Sequence, residues 1–198
     1  MHKTQESNPM ITATPSFRPL RYLGENHTAD LVLFSNLTLS SDASDLMVAV
    51  VLRSSEPFAG HYAIPGGFVN TTAERGAPFQ FGIETSKQAA ERELREETLL
   101  QGELPYLHSV GVYSSRDRDP RNTSEAWVVS EAFMGYCGDQ QQPLTGASDA
   151  LKAEWLPVQD FLLGHKTFAF DHLSILCDSL KLYQNTYLTK PLAPRKPK

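Results

Sequence analysis

The chain alternates short apolar runs with polar punctuation. TADLVLFS at 28–35 and LMVAVVL at 46–52 read as strands, the second apolar at every position, as a central strand covered on both faces would be. The polar stretch NLTLSSDASD joins them. HYAIPGG at 61–67 reads as a short strand ending in a glycine pair, and a helix is expected from Thr85 to Thr98. Further strands are expected at 106–113 and 125–136, and AEWLPVQDF at 153–161 reads as a strand running into a short helix at Pro157. Asp171 is placed to N-cap a closing amphipathic helix whose Leu173, Leu176, Cys177 and Leu180 recur three and four apart. The mixed order of elements, without an internal repeat, predicts a layered α/β (α+β) domain with a mixed β-sheet between helices.

A chain of 198 residues suits one domain, expected over 17–186, between a disordered N-terminus at 1–16 and a flexible, basic, proline-rich tail at 187–198. With 18 Lys and Arg against 23 Asp and Glu, the net charge of -5 offers no general footprint for nucleic acid or an anionic membrane. The longest apolar run, 46–52, is too short to span a bilayer, and the start carries no apolar run of signal-peptide length. A soluble, cytoplasmic protein is therefore expected. Cys137 and Cys177 fit no metal or redox spacing and read as reduced core residues.

The segment AAERELREETLL at 89–100 changes the picture, because it crowds Glu93, Glu96 and Glu97 onto one helix face. Like charges at that spacing repel by roughly a few tenths of a kcal/mol, so something should compensate. One reading is a solvated helix laced by Arg92–Glu96 and Glu91–Arg95 pairs. The other is a divalent cation, which takes hard oxygen ligands from one rigid face.

Glu84 stands eight positions before Arg92, so the chain carries E-x7-R-E-L-R-E-E-T-L-L behind Gly66 and Gly67. This closely resembles the box of the Nudix hydrolases, G-x5-E-x7-R-E-U-x-E-E-x-G-U, where U is a bulky aliphatic residue. The resemblance implies Glu93, Glu96, Glu97 and the Gly66 carbonyl as ligands of Mg2+ or Mn2+, with Arg92 orienting the carboxylates. It leaves the general base among Glu97, Glu96 and Asp149 of the LTGASDALKA segment. Two features depart from the pattern. About eleven extra residues separate Gly67 from Glu84, an insertion that costs little on a surface connection. Its Phe79 and Phe81 are candidates for packing over the site or against a partner. Leu99 replaces a glycine expected to end the helix left-handed, at a cost of about 1 kcal/mol.

HYAIPGGFV, RDRDPR at 116–121, AEWLPVQDF and FAFDH at 168–172 are similar to the ADP-ribose pyrophosphatase branch, which includes Nudix domains of nicotinamide mononucleotide adenylyltransferase fusions and of NAD-linked regulators. That likeness implies a nucleoside diphosphate substrate, ADP-ribose giving AMP and ribose 5-phosphate, held by Arg116, Arg118, Arg121, Gly67 and Phe68. It also implies a possible homodimer. The regulators carry a DNA-binding domain beyond the Nudix domain, for which this chain has no room, so no nucleic-acid partner is expected. From the residues alone, RDRDPR is a solvated turn, and FAFDH a cap and staple with His172 at the surface. Tyr113, Trp127 and Phe133 suit either adenine stacking or the core. The competing classes are a nucleotide sensor that binds without cleaving, and a Nudix hydrolase of a nucleotide sugar, NADH or a nucleoside triphosphate.

Overall fold

The computed structural model describes residues 17–36 and 45–188; the expected N-terminal tail at 1–16, most of the polar loop at 37–44 and the tail from 189 lie outside the described residues. The two apolar runs form the centre of the sheet. Strand β1 (Gly24–Asn36) pairs in parallel with β6 (Ala126–Tyr136), from Gly24↔Ala126 to Phe34↔Tyr136. Its other edge is shared. The first half pairs with β4 (Gly66–Phe68) through Asp30↔Gly66, and the end pairs with β2 (Leu46–Arg53) through Phe34↔Val48, both antiparallel. Strands β3 (Tyr62–Ala63) and β7 (Ala150–Pro157) flank β2, and β5 (His108–Tyr113) closes the far edge against β6.

Successive β1 side chains point to opposite faces, and both faces are covered. Ala29, Leu31 and Leu33 pack with Ala89, Ala90 and Leu94 of helix α1 (Ser86–Thr98). Val32 and Phe34 pack with Val158 and Phe161 of α2 (Val158–Leu162), and with Ile175, Leu176 and Tyr183 of α3 (His172–Tyr183). This double burial is why the central strands are apolar without alternation.

HYAIPGG is not one strand. It turns at Ile64–Pro65, so β3 pairs with β2 and β4 with β1. Helix α3 is also rotated from the expected stripe: it buries His172, Ile175, Leu176, Ser179 and Tyr183 and leaves Leu173 exposed. The fold continues past the expected limit at 186, through a π-helical turn (Gln184–Leu188) whose Tyr187 packs on Tyr136 and Tyr183. Among the described residues, no helix is long and apolar enough to cross a membrane.

Helix α1 starts with a capping box: the Gln88 N–H donates to the Thr85 hydroxyl (3.2 Å) and the Thr85 N–H to the Gln88 side chain (2.8 Å). It ends at Leu99 with φ 52 and ψ 23, the left-handed conformation that glycine adopts freely. A side chain there costs about 1–2 kcal/mol, while glycine returns about 0.5–1 through the unfolded chain. Leu99 is 47% exposed, so little packing is lost with it. Leu99→Gly should therefore stabilise by up to about 1 kcal/mol and raise Tm by roughly 2–4 °C. A thermal melt with unchanged or lower Tm would rule out strain at this cap.

Candidate active site

The cleft opens where β1 changes partner. It is lined by Thr28 and Asp30 of β1, Arg53 at the end of β2, the Ile64–Phe68 turn, Glu97 of α1, the β5–β6 loop, Asp149 and the start of α3. On the α1 side, Arg92 gathers the acids. It donates to Glu84 (2.7 and 3.1 Å), Glu93 (2.6 Å), Glu96 (3.0 Å) and the Phe68 carbonyl (3.0 Å). The Arg92–Glu96 pair of the solvated-helix reading thus forms, but within a larger cluster. Arg95 instead donates to the carbonyls of Leu100 (3.3 Å) and Gly102 (2.8 Å). Glu84 also accepts the Asn70 N–H (2.8 Å), which ties the two ends of the insertion together.

Glu97 is buried beneath this cluster and accepts the Gly66 N–H (3.1 Å). Burial first, then the Asp149 carboxylate, pushes its carboxyl up to about 9, with the Gly66 N–H opposing and Glu93 adding to the rise. Glu93 is raised too, again mainly by burial, with Arg92 opposing. Asp149 arrives because its loop is tied to the end of α1: the Thr145 and Ala147 N–H groups donate to the carbonyls of Thr98 (2.9 Å) and Glu97 (3.1 Å). Gly67 leaves room for the Glu93 carboxylate, since a Cβ there would lie 2.5 Å from its carboxyl carbon.

The residues expected to hold a metal are therefore placed unequally. Gly66, Glu97 and Asp149 share the cleft lining, Glu93 stands behind them against Arg92, and the exposed Glu96 also turns toward Arg92 outside the lining. Among the described residues, no three His, Cys, Asp or Glu side chains form a ready metal cage. The set nevertheless fits a divalent cation, because Glu97 and Asp149 bring hard oxygens into one cleft with Glu93 behind them, and a cation there would offset the burial and mutual repulsion that favour a protonated Glu97.

The expected substrate arginines also diverge. Arg116 is exposed and stacks 3.5 Å over Trp127, away from the cleft. Arg118 lines the cleft but is 7% exposed, and its donors go to both Asp171 oxygens (2.8 and 3.0 Å). RDRDPR is thus not a solvated turn, and Asp171 spends its carboxylate on Arg118 instead of capping α3. Arg121 lines the cleft, paired with buried Asp119 (2.6 Å) and facing the rings of Phe68 and Phe170. Those two rings are the cleft's aromatics. Tyr113 bonds to Asp178, Trp127 lies under Arg116, and Phe133 is in the core. In the insertion, Phe79 packs on His27 and Tyr22, while Phe81 is exposed.

Among the cleft residues that the sequence reading gave no site role are Asp30, Arg53, Phe170 and His172. Asp30 and Arg53 each carried a signal, as charged residues in or ending an apolar strand. Asp30 accepts from Ser130, and burial raises its carboxyl to about 6 against the pull of Arg118. The Arg53 guanidinium lies 5.0 Å over Phe170, and burial lowers its pKa.

An acidic wall facing arginines in one cleft is suited to a cation-assisted reaction on an anionic, phosphate-bearing substrate. The chain belongs to the Nudix family, whose NUDIX domain model matches residues 37–178, and it is a Nudix hydrolase. It is 35% identical over 139 residues to the ADP-ribose pyrophosphatase of Methanocaldococcus jannaschii, covering 69% of this chain and 68% of that protein. It is also 28% identical over 149 residues to an ADPR responsive transcriptional repressor, NtrR, of Acinetobacter baylyi, of which the match covers 50%. Among solved structures, the NUDIX domain of Shewanella oneidensis NrtR complexed with ADP ribose superposes with a TM-score of 0.62 at 25% identity, covering 80% of this chain and 88% of that one.

Proposed function

We propose that the protein hydrolyses ADP-ribose to AMP and ribose 5-phosphate in the presence of Mg2+ or Mn2+. One observation carries this reading. A single cleft joins the acidic wall of Glu97 and Asp149, backed by Glu93, to Arg53 and Arg121 beside the rings of Phe68 and Phe170. The ADP-ribose pyrophosphatase of M. jannaschii and the ADP ribose-bound S. oneidensis domain support the choice of substrate.

In this reading Glu93, Glu97 and the Gly66 carbonyl would hold the cation, with the more exposed Glu96 as a further carboxylate at the rim. The cation, when bound, neutralises diphosphate charge and lowers the pKa of water. Arg92 fixes Glu93 and Glu96 through charge-assisted hydrogen bonds. Arg53 and Arg121 hold the diphosphate oxygens, and Phe68 and Phe170 offer apolar faces to the base or ribose. Asp149 accepts a proton from the water whose oxygen bonds to phosphorus as the bridging P–O bond breaks. Arg118 acts indirectly, by bracing the cleft floor through Asp171.

The relationship to the A. baylyi repressor gives the competing reading, an ADP-ribose sensor that does not cleave. The left-handed Leu99 weakens that alternative, since α1 ends as a glycine would end it. A substrate panel with Mg2+ or Mn2+, scored by product mass, should rank ADP-ribose first in kcat/KM. A nucleoside triphosphate or nucleotide sugar ranking well above it would overturn the substrate. Calorimetric binding of ADP-ribose with no AMP formed over hours would establish the sensor.

A further inference from the structure

His172 opens α3 and is 5% exposed, although its position suggested surface or cap chemistry. Its Nδ1 accepts the Ile64 N–H at 2.9 Å. That bond fixes the tautomer: Nδ1 is bare, so Nε2 carries the proton and faces Asp30 Oδ1, 3.8 Å away. Phe170 and Phe168 lie against the ring, with centroids 5.4 and 6.3 Å away. Burial and the nearby Arg118 and Arg53 keep the imidazole neutral, with its pKa pushed down to about 3 against the pull of Asp171 and Asp119.

The bond matters because of where Ile64 lies. Pro65 has no N–H, so Ile64 is the last backbone donor before Gly66, whose own N–H goes to Glu97. The Pro65 carbonyl accepts the Leu31 N–H at 2.9 Å. The turn is thus held to β1 by Pro65, to α1 by Gly66 and to α3 by His172. A Cβ on Gly66 would stand 2.5 Å from the Ala29 carbonyl oxygen, so the turn has no slack toward β1. Its flanks are fixed by the pairings Ala63↔Val51 and Gly66↔Asp30, so the α3 tether acts on the short stretch between them.

We propose that His172 is a positioning residue: its Nδ1 acceptor sets the Ile64–Gly66 turn and so the place of the Gly66 backbone relative to Glu97. The inference rests on the reading that Gly66, Glu93 and Glu97 hold a divalent cation. Groups that orient metal ligands from behind typically change metal affinity or activity by about 10–100-fold when removed.

Three substitutions separate this role from packing. His172→Asn keeps an acceptor at the place of Nδ1, His172→Gln moves the amide to the place of Nε2, and His172→Phe keeps the ring without an acceptor. Mn2+ affinity, measured by calorimetry without nucleotide, should fall roughly 10–100-fold in the Gln and Phe variants, with a matching loss of kcat. The Asn variant should retain most of both. Equal losses in all three, or a lowered Tm with affinity and kcat intact, would overturn the proposal. The Asn and Gln pair decides the matter even if the Phe variant fails to fold. A wild type that binds Mn2+ but leaves ADP-ribose uncleaved would remove the proposed substrate, while the affinity series would still test His172. A wild type that binds no Mn2+ would overturn the inference itself.

Discussion

Glu97→Gln should cut metal-dependent turnover by about 10²–10⁴-fold, the equivalent of several kcal/mol of transition-state stabilisation by a held cation. The amide keeps the shape of the carboxyl and an oxygen to accept the Gly66 N–H, so the turn should stay in place. What is lost is the charge. The stability of the metal-free protein should move the opposite way. Burial raises the Glu97 carboxyl from 4.5 to about 9, so the group contributes fully to folding below pH 4.5 and loses that contribution as pH rises through about 9. Glutamine has no proton to lose, so the variant should be more stable than wild type by about a few kcal/mol at pH 8 without metal. Denaturant titrations with and without Mg2+, beside a turnover assay, check both halves. Full activity in the variant would refute the assignment of Glu97 as a ligand.

The glycine pair should give two contrasting phenotypes. A Cβ on Gly67 meets the end of the Glu93 side chain, which is flexible and can swing away. Gly67→Ala should therefore fold with nearly unchanged Tm but lose about 10–100-fold in activity, because Glu93 leaves the position that Arg92 now holds. A Cβ on Gly66 meets the Ala29 carbonyl in the sheet centre, where nothing yields cheaply. Gly66→Ala should cost about 1–3 kcal/mol of stability as overpacking. Turnover and Tm measured on both variants test the contrast. Full activity in Gly67→Ala would show that the Glu93 geometry is not needed.

The sequence by itself determined the elements whose signals are local. The apolar run of β2 marks a strand covered on both faces, the run at 28–35 marks β1, and the segment 85–98 marks α1. The spacing of Glu84, Arg92, Glu93, Glu96 and Glu97 identified the family, because one helix and one turn contain the whole pattern. Tertiary structure decided which charges and rings meet in the cleft. Three arginines of one hexapeptide have three fates: Arg116 on Trp127, Arg118 on Asp171, and Arg121 beside Phe68. No local rule separates them, since the Arg118–Asp171 pair joins residues 53 positions apart and exists only once α3 docks against the sheet. The same docking brings His172 to Ile64, 108 positions away, and converts an apparent cap segment into the back of the cleft. Periodicity and caps record what a segment does with its neighbours in sequence. The partner of a buried polar group is set by whichever element arrives to satisfy it, because a charge or N–H taken from water must be paired where the fold places it.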